Sequence, residues 1–331
     1  LKAFIEMTLK IKNLVLDSPI MQASLSGYTD RPMRTVAREH GAPMTFAGVM
    51  LDKAVNHPRV RRRFDFIAYD DEHPIGGQIM GTDPLIMAGA AKGLLEAGYD
   101  LVDLNFACPA PKVLRRHRGG YMLNEPDRVI EIYDRVRAAV DAPLTMKLRI
   151  GYDETSQGHE NFWQICEHAA ANGVDGLIIH GRWVQQRYRG RANWEILKKV
   201  KEKFPTLPII GSGDMFEPET VVERLKQTGI DGVTIARGAV GNPWIFREAR
   251  ALLAGEPKPA APSVKEVGEV LLQHFNRVID FYHQKKGVAY FRKFAAGYSR
   301  RHPERKKVLL ILMAAQTADE VRAAIKQWFL S

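Results

Sequence analysis

Between Val15 and Arg250 two hydrophobic patterns take turns along the chain. Short runs of branched apolar residues, bounded by Gly, Pro, Asp or Asn, predict strands at 14–23, 44–50, 74–81, 101–106, 144–151, 176–182, 208–214 and 232–238. Between them stand longer segments with apolar residues three or four positions apart, such as PLIMAGAAKGLLEAG, PDRVIEIYDRVRAAV and ETVVERLKQTG. That spacing predicts amphipathic helices, several of which open on a proline or capping residue and close on Gly98, Gly173 or Gly229. Eight β-then-α units in roughly 240 residues match an α/β fold of the (β/α)8 TIM-barrel type. A doubly wound sheet has no reason to stop at eight.

The pattern changes after Leu253. The segment AGEPKPAAPSV (254–264) is polar and carries Pro257, Pro259 and Pro262, which marks a linker. Beyond it, 264–284, 287–300 and 318–330 repeat apolar residues at helical spacing with no convincing strand, predicting a small C-terminal helical bundle. The expected organisation is a barrel over 1–253, a linker over 254–264 and a helical domain over 265–331.

Charge sharpens this division. The 331 residues carry a formal net charge of +10, and from Ser263 onward 13 Lys/Arg face 6 Asp/Glu, so most of the excess sits in the last fifth of the chain. Such asymmetry points to a polyanion, either nucleic acid or an anionic membrane surface, or to a merely solvated basic face. The longest apolar run, VLLILMAA at 308–315, is far short of the ~20 residues that span a bilayer, and 1–13 mixes charges among its apolar residues with no signal-like core. With Cys108 and Cys166 as the only cysteines, no disulfide framework or cysteine metal site is expected, and a reducing cytoplasm fits.

In a barrel the reactive groups sit where strands end. Those positions here are Ala23, Met50, Gln78, Asn105 with Cys108, Lys147, His180, Gly211 to Asp214, and Arg237-Gly238. GSGD after the seventh strand and ARGAVGNPW after the eighth offer small residues and free backbone N–H groups where barrels often hold phosphate, and Arg237 adds a charge to the same place. Lys147 lies inside TMKLRIG with Met146 and Leu148 facing the other way. A lysine buried there needs an anion or a carbonyl beside it; it can form a Schiff base, as in barrel aldolases, or hold the negative charge of a reduced flavin. His180 is open between phosphate partner, general acid and structural histidine.

Five ordered motifs, NFACPAPKV, MKLRIGYD, HGRWVQQRYRG, GSGDMF and ARGAVGNPWIF, together resemble the tRNA-dihydrouridine synthases, flavin enzymes that reduce uridine in tRNA with NADPH. SLSGYTDRPMR (24–34) resembles the family's opening loop, and FRKFAAGYSRR in the tail is most similar to the bacterial B-type branch. The resemblance implies a tightly bound FMN with Gln78 and Lys147 at the ring, Ala23 and Leu25 in the opening loop beside it, and His180, Gly211, Ser212, Gly213, Ala236, Arg237 and Gly238 around the phosphate. It implies Asn105 facing the uracil, and Cys108 as the general acid that protonates C5 after hydride reaches C6. Arg182, Lys293 and Arg300 complete the expected substrate-binding set, with tRNA as the expected partner and neither a membrane nor an obligate protein partner expected. Cys166, on a helical pattern, reads as an inert buried thiol.

Three positions depart from the family: Ala23-Ser24-Leu25 where Ala-Pro-Met is usual, Ser212 where asparagine is frequent, and Tyr121 at a usually small position. In the tail, 285–307 holds nine Lys/Arg and one acid. On a helix Phe291, Phe294 and Tyr298 share one stripe while Lys293 and Arg300 face away, so the stripe packs and the cations remain for phosphates. The target base must leave its stack to reach a barrel mouth. The competing readings are a flavin barrel acting on a free small molecule, a Schiff-base aldolase on Lys147, and an RNA-binding relative without catalysis.

Overall fold

The computed structural model describes residues 8–331, so 1–7, part of the charged N-terminal stretch 1–13, lie outside it. Strands β1 (Leu9–Ile11) and β2 (Leu14–Leu16) form an antiparallel hairpin. The barrel strands are β3 (Ile20–Gln22), β4 (Thr45–Phe46), β5 (Met50–Leu51), β6 (Ile75–Met80), β7 (Leu101–Phe106), β8 (Leu144–Arg149), β9 (Gly176–His180), β10 (Ile209–Ser212) and β11 (Gly232–Ile235). All pair in parallel, β11 returns to β3, and β4 pairs with β6 to close the ring. Helices alternate with the strands, which makes this a (β/α)8 barrel with further helices at its C-terminus.

Two predicted strands are each divided. The run 14–23 breaks at Ser18-Pro19, where the missing proline N–H ends the ladder, and its first half joins the hairpin. The run 44–50 yields β4 and β5, which occupy one strand position and pair with opposite ends of β6. The hairpin plugs the barrel floor: Leu9, Ile11 and Leu16 bury against Met21, Phe46, Leu101, Ile178 and Ile210. Above that layer, alternation turns Asp103 and Thr145 inward as register partners, and one step higher Asn105 and Lys147 are partners.

The helix Trp244–Leu253 ends the barrel, and the proline-bearing segment runs to Ser263, whose side chain caps Val264–Tyr282 in a reciprocal box with Glu266. Gln284–Ser299, Arg305–Ala314 and Ala318–Ile325 follow, the last running into a π-type turn at Lys326–Leu330. The helix Arg305–Ala314 is one that the helical spacing does not predict. Its apolar run is continuous, with Val308 and Leu312 buried but Leu310 70% exposed, so no single stripe announces it. The Gln284–Ser299 helix packs on the loop after β11 at a pair of glycines: a Cβ on Gly297 would overlap the Val240 carbonyl oxygen, and one on Gly241 would lie 2.6 Å from the Tyr298 nitrogen. No helix of the described residues is long and apolar enough to cross a membrane.

Candidate active site

The C-terminal ends of the strands open into a cavity of about 770 Å³, whose far wall is supplied by Lys293, Ala296 and Gly297 of the helix Gln284–Ser299 and by its cap Arg300. Strand alternation aims Gln78, Asn105, Lys147, His180 and Ser212 into it, and Cys108 stands on the turn three residues past Asn105. That turn is tied down from both sides. Asn105 Oδ1 accepts from the N–H groups of Ala107 and Cys108, each at 3.1 Å, while Arg149 Nε donates to the Ala107 carbonyl at 3.0 Å.

The mouth is cationic. Among the described residues Lys147, Arg149, Arg237, Lys293 and Arg300 line it against a single carboxylate, Asp214. Lys147 Nζ, His180 Nδ1 and Ser24 Oγ are buried with no hydrogen-bond partner among the described residues. Burial pushes the Lys147 ammonium down to about 8, with Asp103 opposing the shift. His180 is held well below its usual value, first by burial and then by the surrounding cations, so at neutral pH it is a neutral ring. Burial also raises the Cys108 thiol, which keeps its proton at neutral pH. Buried unpartnered donors around an excess of positive charge fit an anionic ligand bearing several acceptors.

Most of the residues singled out from the sequence meet here. Ala23 and Leu25 line the opening-loop side, and Gly213, Ala236, Arg237 and Gly238 line the opposite rim. Two do not. Gly211 faces the helices, where a Cβ would overlap the Trp194 ring, so it is a packing glycine. Arg182 is 2% exposed and held inside the protein: its Nη2 donates to both Asp214 carboxylate oxygens and to the Gly190 carbonyl, its Nε to that of Arg189, and its buried Nη1 has no partner among the described residues. It braces the loop after β9 and is absent from the cavity wall. Lys293 also differs from expectation. Rather than facing away into solvent, its ammonium donates to the Gly27 carbonyl and sits over the rings of Tyr290 and Tyr28.

Arg149 and Tyr188 line the cavity as well, outside the set of residues that the sequence points to. Arg149 stands two residues past Lys147, and the strand period alone puts it on the same face. Tyr188, exposed on the loop after β9, has the guanidinium carbons of Arg237 and Arg149 at 4.6 and 5.7 Å from its ring centre. Among the departures, Ser24 and Ser212 both line the cavity, whereas Tyr121 stacks on His117 at 4.2 Å and meets Tyr152 edge-on, bracing the loop that follows Cys108.

Fold and mouth together describe a (β/α)8 barrel whose cationic mouth also carries a thiol that keeps its proton. The chain belongs to the dihydrouridine synthase family, whose model matches residues 21–330. It is 33% identical over 321 residues to tRNA-dihydrouridine synthase B of Pseudomonas aeruginosa, covering 97% of this chain and 95% of that protein. Against tRNA-dihydrouridine synthase B of Escherichia coli K12 the identity is 34% over 322 residues, covering 97% and 99%. Among solved structures, histamine dehydrogenase from Rhizobium sp. 4-9 superposes with a TM-score of 0.57 at 14% identity, over 83% of this chain. The match spans about half of that longer protein, 51%. A variant of NCR from Zymomonas mobilis gives 0.57 at 13%, covering 78% of this chain and 93% of the other. These two likenesses concern the fold.

Proposed function

We propose that this protein reduces the C5–C6 double bond of uridine in tRNA, with FMN held in the barrel mouth, NADPH as reductant and Cys108 as proton donor. The carrying observation is the set of buried, unpartnered donors at Lys147 Nζ and Ser24 Oγ in the same five-cation cavity as the Cys108 thiol. The residues fit the cofactor. Lys147 is suited to the electron-rich ring, and Arg237 with the backbone of Gly213 and Gly238 to the phosphate. When bound, the flavin supplies the hydride for C6.

The rest falls to this chain. Asn105 orients the pyrimidine, and the Cys108 thiol, neutral because burial raises it, gives its proton to C5 and recovers one from solvent after product leaves. Gln78 supports Asn105 from below. The helical domain's cations contribute to tRNA binding, and the cytoplasm is the compartment where such a substrate and a free thiol coexist.

The purified protein is expected to be yellow, with FMN released on denaturation. Cys108→Ala should keep the flavin and its reduction by NADPH while slowing dihydrouridine formation by about 10² or more, the usual worth of a positioned general acid. Full turnover by that variant on tRNA would remove the assignment. A colourless protein that borohydride traps onto a carbonyl substrate at Lys147 would favour the aldolase reading instead.

A further inference from the structure

The hydrogen bonds that hold the Cys108 turn continue beneath it into the barrel. Thr145 Oγ1 donates to Asp103 Oδ1 at 2.8 Å, and Gln78 Nε2 donates to Asp103 Oδ2 at 2.6 Å. Asn105 Nδ2 donates to Gln78 Oε1 at 2.7 Å, and Asn105 Oδ1 receives the Ala107 and Cys108 N–H groups. The chain crosses β6, β7 and β8 and ends at the turn that carries the thiol. Asp103 itself is fully buried and absent from the cavity wall. We infer that Asp103 is a positioning residue for the reaction, acting on Cys108 through Gln78 and Asn105 and fixing which atoms of those two amides face the ligand.

The two ends of a side-chain amide are nearly equal in shape, so its orientation follows from its partners. An ionised carboxylate only accepts, so Gln78 must turn its nitrogen toward Asp103 and its oxygen toward Asn105. Asn105 must then turn its nitrogen toward Gln78 and its oxygen toward the turn, where two N–H groups wait. Carboxylate and backbone demand the same polarity from opposite ends. Burial pushes Asp103 up to about 6, with Gln78, Lys147 and Thr145 opposing the shift, so it remains ionised at neutral pH. Each amide has one N–H left, and both residues line the cavity. An amide N–H turned to the mouth suits the carbonyl oxygens of a pyrimidine dione better than an exocyclic amino group.

This inference rests on Cys108 being the proton donor, and its test has a readout that does not. In Asp103→Ala, kcat on tRNA should fall at least about tenfold with KM within about twofold, because Asp103 touches no substrate. Iodoacetamide should alkylate Cys108 severalfold faster as the turn loses its tether, followed by peptide mass with the fully buried Cys166 as internal control. Asp103→Asn keeps an acceptor toward Gln78 while its new amide donates to Thr145 Oγ1, so it should recover most of the lost turnover and the native alkylation rate. If Asp103→Asn is as impaired as Asp103→Ala, charge and not the hydrogen-bond chain matters, and the inference fails. It fails equally if Asp103→Ala alkylates at the native rate. Should Asp103→Ala not fold, Thr145→Val, which removes the donor to Oδ1, must show both changes in smaller degree, and native alkylation there overturns the proposal. Native turnover by Cys108→Ala would remove only the proton-donor reading, because the alkylation comparison needs neither tRNA nor turnover.

Discussion

Lys147 carries a charge that the protein compensates only from one side. Asp103 opposes the shift, but burial and Arg149 both lower the ammonium, which reaches about 8 from its ordinary 10.5. The unfolded chain therefore holds this proton over a window where the folded, ligand-free protein has lost it. Stability from this group rises with pH from about 8 to about 10.5, since the unfolded state binds more protons there. An anionic ligand favours the charged form, so FMN affinity should drop as pH climbs through about 8, and Lys147→Met should flatten that dependence. Fluorescence titrations at several pH values measure both. At this scale the sequence was legible where a residue's face follows from the strand period, as for Gln78, Asn105 and Lys147. It was less so where a backbone position serves packing. Gly211 sits inside a glycine-rich ligand-like motif yet makes room for Trp194, and Arg182 follows a mouth histidine yet is claimed by Asp214. Neither fact has a local signature, because the partner lies more than ten residues away.

Among the elements, the helix Gln284–Ser299 does two jobs with two cations that looked equivalent in sequence. Arg300 is exposed at its C-terminal end, whereas Lys293, half-buried, is tied to the opening loop through Gly27 and Tyr28. Their substitutions should therefore separate. Arg300→Ala should weaken tRNA binding and lower the log-log salt slope by about 0.7 to 0.9, the value of one phosphate contact. Lys293→Ala should act more on the opening loop than on that slope, appearing as faster FMN dissociation with a smaller salt effect. Equal slopes for both variants, measured by filter binding over a range of salt, would contradict this division of labour. Helical periodicity placed Phe291, Phe294 and Tyr298 correctly on one buried stripe, all at most 3% exposed. It did not place Lys293, because a long side chain is free to turn from its own face onto a neighbouring element. The divided strands failed for a related reason: one apolar run serves two ladders, and only Pro19 hints at the break.

In the whole molecule, barrel and C-terminal helices share the cavity. Four residues of the helix Gln284–Ser299 and its cap form one wall, so deleting 263–331 opens the site as well as removing cations. The contact at Gly241 and Gly297 brings backbone against backbone, with no side chain between to yield. Gly297→Ala should cost about 1–3 kcal/mol, the range for overpacking a tight contact, and lower the melting temperature by several degrees. Calorimetry should also show one transition separating toward two if the seam is what couples the parts; a single unshifted transition would assign the coupling elsewhere. For anyone exchanging parts between relatives, the glycine pair sets the cut points. A tail from another member can be grafted onto this barrel only together with the loop 237–241 that it was shaped against, so the natural unit of recombination is not the linker at 254–264 but the tail plus a piece of the catalytic rim.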